Sequence, residues 1–169
     1  MRRTYKFELE IEMKSSADRV WCSVKDFARV YPKAVSIYEG VQVLQGDGTS
    51  AGTIYLSTFK PELKSVISAT KERIDFVDEG RRTLYYSFME GEIMSRYNTF
   101  KATVSVICPS SSSSSSAAAA DADADGDIGA VVKYLAEIQK ANGVPDPDFL
   151  KDYMRMVFQG LDAYLLKNP

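Results

Sequence analysis

The 169-residue chain contains no histidine, which removes the most common general base and one of the commonest metal ligands. It has two cysteines, Cys22 and Cys108, whose separation matches no metal-binding motif. Charge of neither sign dominates, because 21 basic and 23 acidic residues leave a net charge of −2. We therefore expect no metal, no cofactor, no Ser–His or Cys–His catalytic pair and no nucleic-acid partner.

Long apolar runs are also lacking. No stretch is apolar over the length that a bilayer-spanning helix needs, and Met1-Arg2-Arg3 leads into alternating charges rather than the apolar core of a secretory signal. The sequence therefore predicts no integral membrane association and a cytoplasmic location, where the two cysteines stay reduced. The length and the 45% of hydrophobic residues fit one domain with a substantial core.

Alternation of apolar and polar side chains predicts most of the chain to be strand. Residues 5–13 place Phe7, Leu9 and Ile11 on one face and lysine or glutamate on the other. A helix is predicted to begin near Ser16 and to break at Tyr31-Pro32. Further strands are predicted at residues 35–43, 53–59, 66–76, 83–89, 94–107 and 130–139. Short connections between most of these strands imply an antiparallel sheet.

A long amphipathic helix is predicted over residues 146–166. Asp146-Pro147 is typical of a helix start, and Leu150, Val157 and Leu161 recur at helical spacing. An apolar stripe of this length needs a broad partner, which the strands provide. If the sheet curls around the helix, a cavity can remain between them.

Two loop segments contain part of a known ligand-binding motif, but each lacks residues that the full motif requires. The glycine-rich stretch 45–52 lacks the Gly-Lys-Ser/Thr ending and the following helix of a phosphate loop, so it is interpreted as a hairpin turn. Residues 109–128 are rich in serine, alanine and aspartate, and are predicted to form a flexible low-complexity loop. Within it Asp121, Asp123 and Asp125 match half of a calcium loop, but the twelfth position is Val132, which cannot bind the ion.

Four segments in order resemble the plant major latex proteins of the pathogenesis-related, Bet v I-type superfamily. They are Gly46 to Ile54, Glu90 to Lys101, Val131 to Tyr134, and Val144 to Pro147. The resemblance implies one START-like domain over residues 1–169, of the α+β class. Its helix-grip fold would curve seven antiparallel strands around the long C-terminal helix, with two short helices after the first strand. It also implies a large apolar cavity.

Two better-understood groups of relatives can be compared at particular residues. Abscisic acid receptors carry a Ser-Gly-Leu-Pro-Ala gate and a His-Arg-Leu latch, where this chain has Lys60 to Lys64 and Ile93 to Ser95, so neither matches. Norcoclaurine synthases use a lysine at a position similar to Lys133. The alternation of Val132, Tyr134 and Ala136, however, predicts that Lys133 points away from the cavity.

The leading hypothesis is a binding or carrier protein for a hydrophobic plant hormone, specialised metabolite or lipid, with a role in defence or stress. Aromatic and methionine side chains suit such a lining. The predicted lining is Tyr55, Phe59, Leu63, Tyr86, Phe88, Tyr97, Phe100, Tyr134, Tyr153, Met154 and Val157. The alternative is a cyclase, isomerase or condensing enzyme, with Lys133, Tyr97, Glu39 and Asp152 as candidate acid–base groups. A third hypothesis is a partner protein that recognises the surface near residues 60–63 when ligand is bound.

Overall fold

The computed structural model of the protein describes residues 2–60, 68–109 and 128–169, which form seven strands and four helices. In chain order these are β1 (Arg2–Met13), α1 (Ala17–Lys25), α2 (Phe27–Ala34), β2 (Tyr38–Gln45), β3 (Ile54–Phe59), β4 (Ala69–Asp78), β5 (Thr83–Gly91), α3 (Glu92–Arg96), β6 (Tyr97–Ile107), β7 (Ala130–Ala141) and α4 (Phe149–Lys167). The predicted fold class is confirmed: an antiparallel sheet, two short helices after the first strand, and a long C-terminal helix.

The seven strands form one curved sheet in the order β1-β7-β6-β5-β4-β3-β2. Every neighbouring pair is antiparallel, and β1 and β2 lie at the two edges. The β1–β7 pairing runs without a bulge from Arg2 opposite Ala141 to Met13 opposite Ala130. Helix α4 contacts β1 and α2, so it lies across the buried face of the sheet.

The alternation predicted from sequence sets the core along most strands. In β1 the side chains of Phe7, Leu9 and Ile11 are buried, and those of Lys6 and Glu8 are exposed. In β7 the buried set is Val132, Tyr134, Ala136 and Ile138, as the pattern indicates. Successive strand residues point to opposite faces of the sheet, so the alternation along each strand determines which side chains face the core.

The predicted helix break at Tyr31-Pro32 is wrong. Pro32 lies inside α2, and the break between α1 and α2 falls at Asp26, whose N–H donates to the carbonyl of Cys22. Proline lacks the N–H that would donate one turn earlier in the helix, so α2 forms without that bond and ends two residues after Pro32. The N–H of Val35 then caps α2 by donating to Tyr31. For this reason β2 begins at Tyr38 instead of residue 35.

The sixth strand also begins later than predicted. Residues 94–96 belong to the short helix α3, and β6 starts at Tyr97. Gly91 precedes α3 with a φ of +125°, a backbone conformation that favours glycine. A Cβ at this position would also lie 2.5 Å from the carbonyl oxygen of Ala69. The glycine therefore allows the turn that separates β5 from β6.

Helix α4 begins at Phe149, three residues after the predicted start at Asp146. Asp148 takes the cap position with a helical backbone, and its side chain makes no capping bond. Instead it accepts from the Tyr5 hydroxyl at 2.8 Å, and Asp146 pairs with Lys140 at 2.8 Å. Both carboxylates thus join the start of α4 to the sheet. No helix in the described part of the chain has the length and apolarity needed to cross a bilayer.

The C-terminal half of α4 is held by Asp162. Its carboxylate accepts from the backbone N–H of Lys14 at 2.9 Å and of Ser15 at 3.0 Å, and from the Ser15 hydroxyl at 2.7 Å. Arg19 donates to the carbonyl of Leu165 at the end of the same helix. These bonds secure α4 to the turn between β1 and α1.

Replacing Asp162 by asparagine is expected to lower the free energy of unfolding by about 1–2 kcal/mol, because an amide cannot accept from all three donors as a carboxylate does. Urea unfolding measures the change. Asp152→Asn is the matched control on the same helix, where the aspartate is exposed and a change of only a few tenths of a kcal/mol is expected. Equal effects of the two substitutions would contradict this role for Asp162.

Candidate functional site

The described residues enclose an apolar cavity between the buried face of the sheet and helices α2 and α4. Its open volume is about 70 Å³. The wall consists almost entirely of aromatic and aliphatic side chains. They are Val24, Phe27, Tyr31, Tyr38, Tyr55, Phe59, Thr70, Glu72, Ile74, Leu84, Tyr86, Phe88, Ile93, Phe100, Val104, Tyr134, Leu150, Tyr153, Met154 and Phe158.

The cavity is smaller than the family resemblance implies, and aromatic rings pack closely along its wall. Phe88 and Phe100 meet edge to face with centroids 4.4 Å apart, and Tyr38 and Phe59 lie 5.1 Å apart. A water occupies about 10–15 Å³ of such open space, whereas drug-sized ligands lie in pockets of about 300–1,000 Å³. The space present therefore suits a few waters or a small apolar group, and a larger ligand requires some rings to rotate.

Two pairs of tyrosine hydroxyls lie in the wall. The hydroxyls of Tyr86 and Tyr134 are 2.8 Å apart, and the Tyr153 hydroxyl donates to that of Tyr38 at 3.4 Å. Burial raises the pKa of all four phenols above the ordinary value, so they stay neutral. The wall thus offers neutral hydroxyl groups that can donate to or accept from a ligand.

Glu72 is the charged residue in the described part of the wall. Its side chain is 8% exposed, and its Oε2 atom accepts from the hydroxyls of Ser57 at 3.2 Å and Thr70 at 3.1 Å. Burial raises its pKa from the ordinary value of 4.5 to about 7, although the two hydrogen bonds act in the opposite direction. The carboxyl group can therefore be neutral or ionised near physiological pH.

Sequence reasoning did not identify Glu72. The signal available was parity: Glu72 alternates in β4 with Thr70 and Ile74, which are also buried. The alternation does not continue along the strand, because a register shift between Ile74 and Phe76 turns Phe76 outward. A glutamate within a run of charged residues is usually solvated, so the local pattern favoured an exposed position.

Eight of the predicted lining residues do lie in the cavity wall: Tyr55, Phe59, Tyr86, Phe88, Phe100, Tyr134, Tyr153 and Met154. Two do not. Tyr97 begins β6 beneath the start of α4, where its hydroxyl donates to the carbonyl of Pro145 at 3.4 Å, and Val157 is fully buried elsewhere in the core. Leu63 lies outside the described residues, as do residues 61–62 of the suggested partner surface.

The predicted acid–base groups do not meet in the cavity. Lys133 points to the outer face of the sheet and pairs with Glu10 of β1 at 3.6 Å, with 43% of its side chain exposed. This confirms the orientation that strand alternation predicts and separates Lys133 from the cavity. Glu39 and Asp152 are exposed as well. Of the four candidates, Tyr97 alone is buried, and it does not line the cavity.

The glycine-rich turn is a hairpin, as predicted. Asp47 accepts from the backbone N–H groups of Thr49 and Ser50, each at 2.8 Å, and from the Ser50 hydroxyl at 2.7 Å. These bonds lower the pKa of Asp47 below its ordinary value. The turn's own carboxylate thus takes the N–H groups that a phosphate would need.

Metal ligands do not cluster in the described part of the chain. The half calcium motif, residues 121–127, lies outside it. Val132, at the twelfth position of that motif, is fully buried in β7. Within the described residues, the features available for chemistry are the cavity wall, its tyrosine hydroxyls and the Glu72 carboxyl group.

The family model and the similar proteins found by comparison all point to the same family. A model of the pathogenesis-related protein Bet v 1 family matches residues 3–168. MLP-like protein 423 of Arabidopsis thaliana is 34% identical over 162 residues, which are 95% of this chain and 93% of that protein. Major latex protein 149 of Papaver somniferum is 26% identical over 161 residues, 95% of this chain and 90% of that protein.

Solved structures show the same fold. A crystal structure of ginseng major latex-like protein 151 from Panax ginseng superimposes with a TM-score of 0.76 at 18% identity, covering 95% of this chain and 97% of that one. A point mutant of Thalictrum flavum norcoclaurine synthase in complex with a transition-state analogue gives a TM-score of 0.71 at 20% identity, covering 99% and 98%. At these identities the likeness concerns the fold alone.

Proposed function

Because the chain belongs to the pathogenesis-related protein Bet v 1 family, we propose that it binds and carries a hydrophobic small molecule in the cavity beneath α4. The observation that supports this function is the cavity wall, which is aromatic or aliphatic apart from Thr70, Glu72 and the tyrosine hydroxyls. Such a wall gains free energy by removing an apolar ligand from water, while a few polar groups orient it. A plant hormone, specialised metabolite or lipid in defence or stress is the proposed cargo, and the cytoplasm stays the predicted location.

Uptake of a cargo of that size requires the rings in the cavity to move. The Tyr153–Tyr38 bond joins α4 to β2 across the cavity, and at 3.4 Å it is long for a hydrogen bond between hydroxyls. Breaking it costs little and frees Tyr153 to rotate. We propose that ligands enter by displacing such side chains while the sheet keeps its register.

The test uses neutral aromatic probes of increasing size: benzyl alcohol, 2-naphthol and a neutral steroid, with binding measured by calorimetry. Val104→Phe is the blocking variant, because Val104 is buried in β6 and lines the cavity. We expect the added ring to occupy the open space and to weaken benzyl alcohol binding by roughly tenfold or more.

Val106→Phe is the matched control, two residues along the same strand and equally buried, but outside the cavity wall. It is expected to lower stability and leave the affinity of the folded protein nearly unchanged. If it does not fold, Val106→Leu replaces it. The proposal fails if no probe binds the wild-type protein, or if the two valine variants weaken binding equally.

An enzyme with the same cavity is the second candidate, and Glu72 rather than Lys133 now favours it. A carboxyl group with a pKa of about 7 can both accept and donate a proton near neutral pH. The protein would be incubated with a plant metabolite extract, followed by mass spectrometry of free and released compounds. A product exceeding the molar amount of protein, and absent with Glu72→Gln, would show an enzyme; a retained and unchanged compound would show a carrier.

A further inference from the structure

The inference concerns the Glu72 carboxylate, which no cation of the described residues neutralises. The ion pairs between described residues all involve other carboxylates, and no lysine or arginine lines the described wall of the cavity. A buried carboxylate is normally paired, because removing its charge from water is costly. The missing partner is therefore a property of the site that needs an explanation.

The hydrogen bonds of Glu72 leave part of its acceptor capacity unused. Both hydroxyl donors, on Ser57 and Thr70, reach Oε2, and no described residue donates to Oε1. An ionised carboxylate offers about four acceptor sites on two oxygens. The unused sites suit a ligand that brings its own N–H donors.

Six tyrosines on other elements line the same cavity as Glu72. They are Tyr31 of α2, Tyr38 of β2, Tyr55 of β3, Tyr86 of β5, Tyr134 of β7 and Tyr153 of α4. Burial raises the pKa of each phenol, and the Glu72 charge acts in the same direction. The faces of such rings attract cations. The same surroundings repel an anionic ligand, which finds no basic side chain in the described wall.

We propose that the cavity selects ligands that carry a protonated amine on an apolar skeleton, with the ammonium group bound by Glu72 and the tyrosine rings. This inference rests on the proposed binding function and adds the chemical class of the cargo. Apolar acids are rejected, because their carboxylate would meet Glu72 without a neutralising partner. Neutral ligands bind without the charge contribution of Glu72.

The selectivity depends on pH in a defined direction. Among the titratable groups facing Glu72 from the surrounding elements are the six tyrosines, whose pKa values are all raised, and the chain has no histidine. Burial raises the pKa of Glu72 to about 7. Amine binding should therefore be strong at pH 8, where Glu72 is ionised, and weak at pH 5.5.

The experiment compares three probes with one skeleton and different charges: benzylamine, benzyl alcohol and benzoate. Calorimetry at pH 8 is expected to show benzylamine binding roughly tenfold or more tighter than benzyl alcohol, with benzoate weakest. Glu72→Gln should remove the preference for the amine, measured as the ratio of the benzylamine and benzyl alcohol affinities of that same variant. Glu137→Gln, an exposed carboxylate on the outer face paired with Lys6, is the matched control and should behave like wild type.

The outcomes separate this inference from the proposed function. If benzyl alcohol binds and benzylamine binds no tighter, the amine selectivity is wrong and the carrier function stands. If the preference persists in Glu72→Gln, another group provides it and the assignment to Glu72 is overturned. If none of the three probes binds, both the selectivity and the binding function are overturned.

Discussion

Replacing Glu72 by glutamine is expected to stabilise the folded protein at pH 8 by roughly 2–3 kcal/mol more than it does at pH 5. Burial raises the pKa of Glu72 from 4.5 to about 7 on folding. The folded state therefore binds more protons than the unfolded state between these values, and wild-type stability falls as pH rises from about 4.5 to 7. Glutamine keeps the shape and an acceptor oxygen but does not titrate, so this loss disappears.

Urea unfolding of the wild-type protein and the variant at pH 5 and pH 8 measures the effect. The contributions of all other titrating groups to the free energy of unfolding cancel when the variant is compared with wild type at the same pH. Glu137→Gln is again the control, because its carboxylate is half exposed on the outer face of the sheet. Its effect should be small and similar at both pH values. A Glu72→Gln effect that is the same at pH 5 and pH 8 would show that the carboxyl group titrates normally in the folded protein.

Truncation of Phe100 to alanine is expected to cost about 3–5 kcal/mol of stability, the largest effect predicted for a single side chain here. Phe100 is 2% exposed, lines the cavity and packs edge to face on Phe88. Removing its ring joins new empty space to the 70 Å³ already present. The enlarged cavity should bind benzyl alcohol more tightly than the wild-type cavity, because less rearrangement of rings is needed.

Thermal and urea unfolding with and without benzyl alcohol test both parts. A ligand that binds only the folded state raises the free energy of unfolding. At ligand concentrations above Kd, the rise grows with the logarithm of the ratio of ligand concentration to Kd. The rise should be larger for Phe100→Ala than for wild type. Phe76→Ala is the control, because Phe76 is 53% exposed on the outer face, and its loss should matter little. A Phe100→Ala protein of wild-type stability would mean that the cavity is already loosely packed.

These two side chains show why a cavity of this kind is sensitive to single substitutions. Phe100 limits the volume of the cavity. Under the proposed function, the size of Phe100 would set which ligands fit, and the charge of Glu72 would set which functional groups the wall accepts. The tyrosine hydroxyl pairs add neutral polar groups to the same wall.

Much of the fold could be predicted from the sequence because its main signal is local. Strict alternation in β1 and β7 assigns each side chain to one face whatever the partner strand is, and it correctly placed Lys133 outside. The apolar stripe of α4 and the order of strands and turns were sufficient for the antiparallel sheet and its long helix. Eight lining residues were named because aromatic side chains on these elements have few other places to be buried.

The features that depend on residues far apart in the sequence were determined by the tertiary structure. Helix α4 starts at Phe149 and not at the predicted Asp146, because Asp146 pairs with Lys140 and Asp148 accepts from Tyr5. These contacts are with distant residues, so local capping rules cannot predict them. Glu72 was missed because charged residues surround it in the sequence, whereas its raised pKa arises from burial by side chains of other strands and helices. Cavity size likewise depends on how rings from six or more elements interlock. Periodicity along a chain specifies which side chains face inward, but only their packing in three dimensions determines the space, the charge and the hydrogen bonds that remain there.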